Sequence, residues 1–247
     1  MRYWAPLSEE TAAEVAAFGP DEVVLLPLYP QYSTTTTASS LAAWRGAYKG
    51  AGRAHTVCCY YDEPELVAAH AALIRQAWEA AGAPRPVRLL FSAHGLPQRI
   101  SDAGDPYRGH VERTCAAVAA ALGDGWDWRV CYQSRVGPTK WIGPETLAEI
   151  AEAGAEGLGV VVDPIAFVSE HVETLVELDR DYAGAAKQAG AQPYIRVPAL
   201  GTHPRFIGAL ADLTERALAS EAGVKPGRGG CPAGASACPL AEARRAA

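Results

Sequence analysis

The sequence lacks a basic surplus, a long apolar run and an export signal. Its 247 residues include 22 Lys and Arg against 28 Asp and Glu, a net charge of −6. This acidic balance argues against a general nucleic-acid binder. The apolar runs, such as residues 158–162, are too short to span a bilayer. No basic segment followed by an apolar one opens the chain. We therefore predict a cytoplasmic protein that does not bind nucleic acid.

Three common catalytic and nucleotide-binding signatures are also missing. The chain has no G-x-G-x-x-G after a strand, no G-x-x-x-x-G-K-[ST] and no G-x-S-x-G. The first two place backbone amides around nucleotide phosphates, and the third carries the nucleophile of serine hydrolases. Their absence disfavours nucleotide cofactors and serine-hydrolase chemistry.

Short strand-like runs alternate with helical patterns along almost the whole chain. This alternation predicts an α/β protein with parallel sheets flanked by helices. The predicted strands are residues 22–26, 55–59, 87–92, 128–133, 159–163 and 194–197. The first two are expected in one sheet and the other four in another. The predicted helices are residues 36–49, 64–81, 106–122, 144–153, 172–189 and 204–220.

Two changes in composition divide this pattern. Residues 80–86 (AAGAPRP) form a link rich in Gly and Pro, which indicates a change of lobe. After Ser220 the chain turns to Gly, Pro, Ala and Cys, which predicts an irregular segment unless something holds it. We divide the chain into part of a first lobe (1–84), a second lobe (85–200), a C-terminal helix packed back on the lobes (201–220) and a cysteine-containing tail (221–247).

Polar loops follow several of the predicted strands. Ligands of open parallel sheets bind beyond the carboxyl ends of the strands, and these ends meet at one edge. We expect convergence there of residues 29–37 (YPQYSTTTT), 92–97 (SAHGLP), 134–144 (SRVGPTKWIGP) and 167–173 (FVSEHVE).

Three glutamates and one histidine in these loops have the chemistry of a metal site. Glu170, Glu173 and Glu177 recur at intervals of three and four residues, so in one helix their carboxylates would share a face. Such a face is either a solvated acidic surface or a stripe that guides a divalent cation and accepts protons. His94 is either a hydrogen-bonded loop residue or a metal ligand. Carboxylate with imidazole suits iron, cobalt or zinc better than calcium.

Six cysteines in a reducing compartment indicate metal binding or catalysis before disulfides. Cys115 and Cys131 lie in apolar patterns and are predicted to be core residues. The adjacent pair at 58 and 59 and the C-x6-C pair at 231 and 238 stay open at this point.

At these same segments the chain resembles ferrochelatase, the enzyme family that inserts ferrous iron into protoporphyrin IX. The resemblance covers nearly the whole chain to about Ser220, and its stretches keep the family's order. They are residues 1–6 (MRYWAP), 28–41 (LYPQYSTTTTASSL), 90–97 (LFSAHGLP), 104–107 (GDPY), 133–144 (QSRVGPTKWIGP) and 164–179 (PIAFVSEHVETLVELD). Together these motifs are highly specific.

The resemblance implies two similar Rossmann-like (chelatase-like) lobes with porphyrin in the cleft between them. It implies that His94 and Glu173 are catalytic and face each other across the macrocycle. Metal binding is expected at His94, Glu173, Glu170 and Glu177. Porphyrin contacts are expected from Arg2, Tyr3, Tyr29, Tyr32 and Trp141.

The chain also departs from the family's pattern at its start. The family begins with a strand and an N-L-G-G-P loop, neither of which is present, so we expect the first lobe to be incomplete. Either the chain is a fragment, or another polypeptide supplies the missing half. An unpaired sheet edge would follow in both cases.

Some ferrochelatases carry a [2Fe–2S] cluster, ligated by cysteines of a C-terminal extension and one internal cysteine. The internal position is Thr34 here. A cluster would therefore need Cys58, Cys59, Cys231 and Cys238. The alternative is two core thiols and a tail without a cluster.

The resemblance implies protoporphyrin IX and ferrous iron as substrates, a monomer or a homodimer, and allows peripheral association with the inner membrane. Two other functions are considered. One is a non-catalytic haem- or Fe–S-binding module. The other is a cobalt or sirohydrochlorin chelatase, which shares the two-lobe plan but relies on a different His-rich metal pair. The SAHGLP, QSRVGP and HVETLVELD stretches favour ferrochelatase.

Overall fold

The computed structural model describes residues 5–220, the backbone of residues 224–226, and Ala237. The strands are β1 (Glu22–Leu25), β2 (Arg53–Cys59), β3 (Val87–His94), β4 (Asp127–Gln133), β5 (Gly159–Asp163), β6 (Tyr194–Arg196) and β7 (Val224–Pro226). The helices are α1 (Ser8–Phe18), α2 (Ser39–Ala47), α3 (Pro64–Ala80), α4 (Gln98–Asp102), α5 (Tyr107–Leu122), α6 (Thr146–Ala155), α7 (Val172–Leu175), α8 (Ala183–Ala189) and α9 (Pro204–Leu218). Two π-helical turns, Thr34–Ala38 and Glu177–Tyr182, precede α2 and α8.

The larger sheet has the strand order β4-β3-β5-β6, with every pair parallel. Successive residues of a strand point to opposite faces. Leu89 and Phe91 accordingly pack towards α3 and α5, whereas Leu90 packs towards α6 and α8. Burial on both faces explains the consecutive apolar residues at 89–91 in β3 and at 160–162 in β5. The predicted parallel sheet of four strands is confirmed.

The smaller sheet has the order β1-β2-β7, again parallel. Its first two strands were predicted to lie apart from the larger sheet, and they do. Strand β7 corrects the prediction of an irregular segment after Ser220, because it pairs with residues 56–59 of β2. The three residues of β7, which lie between two glycines in the sequence, are too few to show an alternating pattern. The incompleteness of this lobe stays a prediction.

Helix α9 packs against the smaller sheet. Phe206 and Leu213 share an apolar cluster with Val57 of β2 and Leu66 of α3. Helix α3 also contacts α5, β5 and β6, so it lies between the two sheets. The division into lobes at residue 84 stays a prediction. In the part of the chain that the structure describes, no helix is long and apolar enough to cross a membrane.

Three helical regions differ from the sequence prediction. Helix α1 was missed because its only buried residue is Ala12, so no apolar stripe marks it. The five-residue α4 is too short to show a period. The helix predicted over residues 172–189 is instead broken into α7, a π-helical turn and α8. This break decides where the glutamates of the site point.

Candidate active site

His94 is the last residue of β3, the inner strand that pairs with both β4 and β5. It lies opposite Gln133, the last residue of β4, and the next amide, that of Gly95, donates to the Gln133 carbonyl at 2.8 Å. A Cβ atom on Gly95 would lie 2.9 Å from that carbonyl and 3.2 Å from the Trp141 ring. The SAHG sequence therefore suits a close approach between the His94 loop and the loop after β4.

His94 and Glu173 form a direct pair. The His94 Nε2 lies 3.4 Å from Glu173 Oε1, and Nδ1 donates to the Gly95 carbonyl at 2.6 Å. Burial opposes the charged imidazole, but the hydrogen bonds to Glu173 and to Gly95 outweigh it and raise the pKa of His94. The same contact with His94 outweighs burial of the carboxyl and lowers the pKa of Glu173. The pair therefore favours a proton on Nε2 beside a carboxylate.

A second histidine, His171, contacts the other oxygen of Glu173. The His171 Nε2 lies 3.5 Å from Glu173 Oε2. The Phe167 ring lies near both histidines, with centroid distances of 6.4 Å to His94 and 5.1 Å to His171. The sequence prediction omitted His171. Its position two residues before Glu173, directly ahead of a helix, is the signal that could have identified it.

The short helix α7 is held in place by its backbone. The Gln133 Nε2 donates to the Glu173 carbonyl at 2.8 Å, while Gln133 Oε1 accepts from the Ser92 hydroxyl at 2.7 Å. The Thr174 Oγ1 accepts from the His171 amide at 2.9 Å and so satisfies the start of the helix. Side chains from β3 and β4 thus fix the turn that carries Glu173.

The three glutamates do not share one helical face, which corrects the predicted stripe. Glu170 precedes α7, and its carboxylate accepts from Arg196 Nη1 at 2.5 Å and from the Ala199 amide at 2.9 Å. Although burial acts the other way, these bonds lower the pKa of Glu170. Arg196 also binds Asp179 through two bonds, of 2.6 and 2.9 Å. It therefore holds both flanks of α7 and directs Glu170 away from the His94 pair.

Glu177 is occupied by other donors. Its carboxylate accepts from the Ser134 amide at 2.7 Å, from the Ser134 hydroxyl at 2.5 Å and from the Tyr182 hydroxyl at 2.7 Å. Ser134 has a φ of 59°, a left-handed conformation that is uncommon outside glycine. The π-helical turn that begins at Glu177 changes the helical register after Glu173. The two carboxylates consequently reach different partners.

The expected placement of the macrocycle between His94 and Glu173 does not fit this geometry. A flat ring needs about 3.5 Å on each face, and the two side chains are 3.4 Å apart. His94 ends β3, and Glu173 lies in α7, which follows the neighbouring strand β5. The two side chains therefore lie together at one edge of the sheet.

The predicted porphyrin-contacting aromatics fall into different environments. Trp141 packs on Gly95 in the loop after β4, and its buried indole nitrogen has no hydrogen-bond partner among the described residues. The Tyr29 side chain lies at the surface, 44% exposed. Tyr32 is only 5% exposed and packs with Cys58, Cys59 and Tyr61, so core packing explains it better than porphyrin contact. Arg2 and Tyr3 lie outside the described residues.

Cys58 and Cys59 form a buried pair, and the described part of the chain offers no cluster site around them. Their sulfur atoms are 3.8 Å apart, and each residue is almost fully buried. No group of three or more His, Cys, Asp or Glu among the described residues could hold a metal ion. Cys231 and Cys238 lie outside the described residues. Cys115 and Cys131 are buried, and burial raises the pKa of both thiols, which suits the predicted core roles.

Comparison with known proteins shows the family to which the chain belongs. A family model described as ferrochelatase matches residues 1–218. The ferrochelatase of Phenylobacterium zucineum is 59% identical over 244 residues, which are 99% of this chain and 69% of the relative. That of Caulobacter vibrioides is also 59% identical, over 98% of this chain and 70% of the relative. That of Hyphomonas neptunium is 52% identical over 100% of this chain and 69% of the relative.

Solved chelatase structures share the fold. SirB from Bacillus subtilis with Fe3+ matches 87% of this chain and 78% of its own, with a TM-score of 0.58 and 16% identity. CbiX, described as the terminal enzyme for the biosynthesis of siroheme in denitrifying bacteria, matches 82% of this chain and 78% of its own, with a TM-score of 0.53 and 22% identity. At these identities the likeness shows the fold alone. It confirms the predicted chelatase-like α/β architecture.

Proposed function

The chain belongs to the ferrochelatase family, and we propose that His94 and Glu173 carry out its reaction at the carboxyl end of the larger sheet. The activity is the family's insertion of metal into a porphyrin, in haem biosynthesis. Relatives at 52–59% identity favour this function over a haem-binding module or a sirohydrochlorin-type chelatase. The observation that carries the assignment of residues is the contact between His94 Nε2 and Glu173 Oε1.

Metal insertion requires a base for the two protons that leave the pyrrole nitrogens. The Nδ1–H of His94 is committed to the Gly95 carbonyl, so Nε2 is the nitrogen that exchanges protons. When Nε2 is unprotonated it accepts a pyrrole proton, and the adjacent carboxylate of Glu173 stabilises the imidazolium that forms. Each round of metal insertion releases two pyrrole protons, and His94 Nε2 accepts them one after the other.

Glu173 and His171 provide a route from this base to solvent. Glu173 contacts His94 through Oε1 and His171 through Oε2, so the carboxylate bridges the two rings. The His171 side chain is 42% exposed. A proton received at His94 can therefore pass along the carboxylate to an exposed imidazole. His94 is then free to accept the second pyrrole proton.

Ferrous iron, the second substrate, is expected to meet the same pair. An imidazole and a carboxylate are suitable ligands for Fe²⁺. Arg196 and Ser134 already donate hydrogen bonds to the carboxylates of Glu170 and Glu177. We therefore expect these two glutamates to hold the segment around Glu173 in place and not to bind iron directly. Trp141 and Tyr29 are expected to contact the porphyrin. The same role for Arg2 and Tyr3 stays a prediction from the sequence.

The finer properties stay predictions from the sequence. They are the [2Fe–2S] cluster, a cytoplasmic location, peripheral membrane association, and a monomeric or homodimeric state. The cluster has the least support, because Cys58 and Cys59, the two candidate ligands within the described residues, are buried together in the core.

Replacement of His94 tests the proposal most directly. In His94→Ala we expect kcat for iron insertion into protoporphyrin IX to fall by at least about 100-fold, since the site loses its base. Porphyrin binding, measured by fluorescence quenching, should change much less, and thermal unfolding will verify the fold. Metallation at a rate near wild type would refute the role of His94.

A further inference from the structure

One short segment, Asp105 to Tyr107 in the GDPY stretch, connects the loop after β1 with His94. We propose that Asp105 is a positioning residue that holds this loop, residues 29–37, in register with the base for porphyrin binding. The inference rests on the proposed function, because it assumes that Tyr29 and His94 serve one substrate. Asp105 takes no part in the proton chemistry proposed for His94 and Glu173.

A single oxygen of Asp105 receives three hydrogen bonds from the loop. Its Oδ2 accepts from the Ser33 hydroxyl at 3.0 Å, from the Thr34 amide at 2.7 Å and from the Thr34 hydroxyl at 2.6 Å. Asp105 is only 7% exposed. Hydrogen bonds to a buried carboxylate are shorter and stronger than those between neutral groups. The carboxylate thus fixes both the backbone and the side chains of the loop.

The same segment reaches His94 from the other side. The second oxygen of Asp105 accepts from the Tyr107 amide at 2.9 Å, at the start of α5. The buried Tyr107 hydroxyl then donates to the His94 carbonyl at 3.1 Å. A continuous series of hydrogen bonds therefore runs from Thr34 through Asp105 and Tyr107 to His94.

The loop is anchored independently further along α5. The Tyr32 amide donates to His110 Nδ1 at 3.2 Å, and the Gln31 side chain donates to Thr114 at 3.2 Å. We expect these contacts to keep residues 31–32 in the core when Asp105 is changed. A variant at Asp105 should therefore perturb the loop locally and leave the junction between the sheets intact.

Asp105→Asn is the sharpest test because it preserves size. An asparagine can still accept from the Tyr107 amide with its oxygen, but its NH2 group then faces the Thr34 amide, donor against donor. We expect Kd and KM for protoporphyrin IX to rise by about tenfold, with kcat falling by less than about threefold. Tyr107→Phe breaks the other arm and should lower kcat with little change in Kd.

A double-mutant cycle separates this role from a general loss of stability. Ser33→Ala with Thr34→Val removes both hydroxyl donors, and we expect it to raise the porphyrin Kd in the same direction. Combined with Asp105→Asn, the effects should be clearly less than additive, because both changes break the same contacts. Ser39→Ala is the matched control, since the Ser39 hydroxyl donates locally to the carbonyls of Thr35 and Thr36.

The outcomes distinguish the inference from the proposed function. Unchanged porphyrin binding in Asp105→Asn, or full additivity in the cycle, would overturn the positioning role even if His94→Ala abolishes metallation. A wild-type rate in His94→Ala together with a tenfold weaker porphyrin Kd in Asp105→Asn would overturn the catalytic assignment and leave the positioning role standing. A wild-type chain that does not bind protoporphyrin IX would overturn both.

Discussion

Two histidines, one in the active site and one at the junction of the sheets, show how a partner decides what an imidazole does. His94 contacts the carboxylate of Glu173, and its pKa is raised. His110 is fully buried in α5 and has no carboxylate partner in any contact that the structure describes for its ring. Burial, with a smaller contribution from Arg113, lowers the pKa of His110 to about 3.

The surroundings of His110 suit a neutral ring. Its Nδ1 accepts from the Tyr32 amide at 3.2 Å, and its ring stacks on Tyr61 with a centroid distance of 4.0 Å. A protonated Nδ1 could not accept this hydrogen bond. Burial without a carboxylate thus keeps His110 neutral, as a hydrogen-bond acceptor. Burial beside the Glu173 carboxylate instead lets His94 hold a proton and release it.

Removing the carboxylate should make His94 behave more like His110. In Glu173→Gln we expect the pKa of His94 to fall, because burial is then opposed by the Gly95 bond and the charge of Glu177 without the contribution of Glu173. We expect kcat for iron insertion to fall by about 100-fold, with a smaller change in porphyrin Kd. An NMR titration of the His94 ring and steady-state kinetics measure the two effects.

The matched control for that variant is Glu112→Gln, the same change at a surface carboxylate paired with Arg108. It should leave the His94 titration and kcat near wild type. An unchanged pKa of His94 in Glu173→Gln would show that the contact with Glu173 does not control the protonation of His94.

Changing His110 should affect stability before catalysis. His110→Phe keeps a ring against Tyr61 but removes the His110 nitrogen that accepts a hydrogen bond from the buried Tyr32 amide. We expect a loss of about 1–3 kcal/mol in the free energy of unfolding. The pH dependence of kcat should stay as in wild type, measured on folded protein. A shifted pH profile would indicate that His110 takes part in the proton chemistry.

The two histidines should also have opposite effects on the pH dependence of stability. A raised pKa means that His94 contributes most below its ordinary value of about 6.5, and the contribution is lost as pH rises through the native pKa. The lowered pKa of Glu173 means that its contribution is present above about 4.5 and is lost as pH falls. Their pair therefore stabilises most between about pH 4.5 and 6.5.

For His110 the sign is reversed. Its lowered pKa means that stability is present above about pH 6.5 and is lost as pH falls towards 3. The difference in unfolding free energy between wild type and His110→Phe should therefore shrink between pH 7 and pH 5. Denaturant titrations at the two pH values check this, and a difference that grew on acidification would contradict the neutral assignment.

Much of the fold could be predicted from the sequence because its signals are local. The consecutive apolar residues 89–91 of β3 and 160–162 of β5 indicate strands buried on both faces, and both strands lie inside the larger sheet. The sequence also predicted that His94 follows a strand. Because ligands of parallel sheets bind at the carboxyl ends of the strands, this position made His94 a candidate site residue. Helix α1 was missed for the same reason, because a helix with one buried alanine carries almost no local pattern.

The internal arrangement of the site was less predictable. Spacing placed Glu170, Glu173 and Glu177 on one helical face, but a residue far along the chain, Arg196 of β6, binds the first of them. Ser134, in the loop after β4, binds the third. Periodicity describes the geometry of an unbroken helix and carries no information about partners on other strands.

The sequence by itself determined the alternation of strands and helices, the position of His94 beyond a strand end, and the presence of a glutamate-rich segment after β5. These depend on side-chain patterns within about ten residues. The tertiary structure alone decided that β3 and β5 are neighbours, which brings His94 within 3.4 Å of Glu173. It also decided that Tyr32 lies in the core and that Asp105 reaches Thr34. These depend on which distant segments pack together, and that is a property of the whole chain's burial of apolar surface and pairing of polar groups.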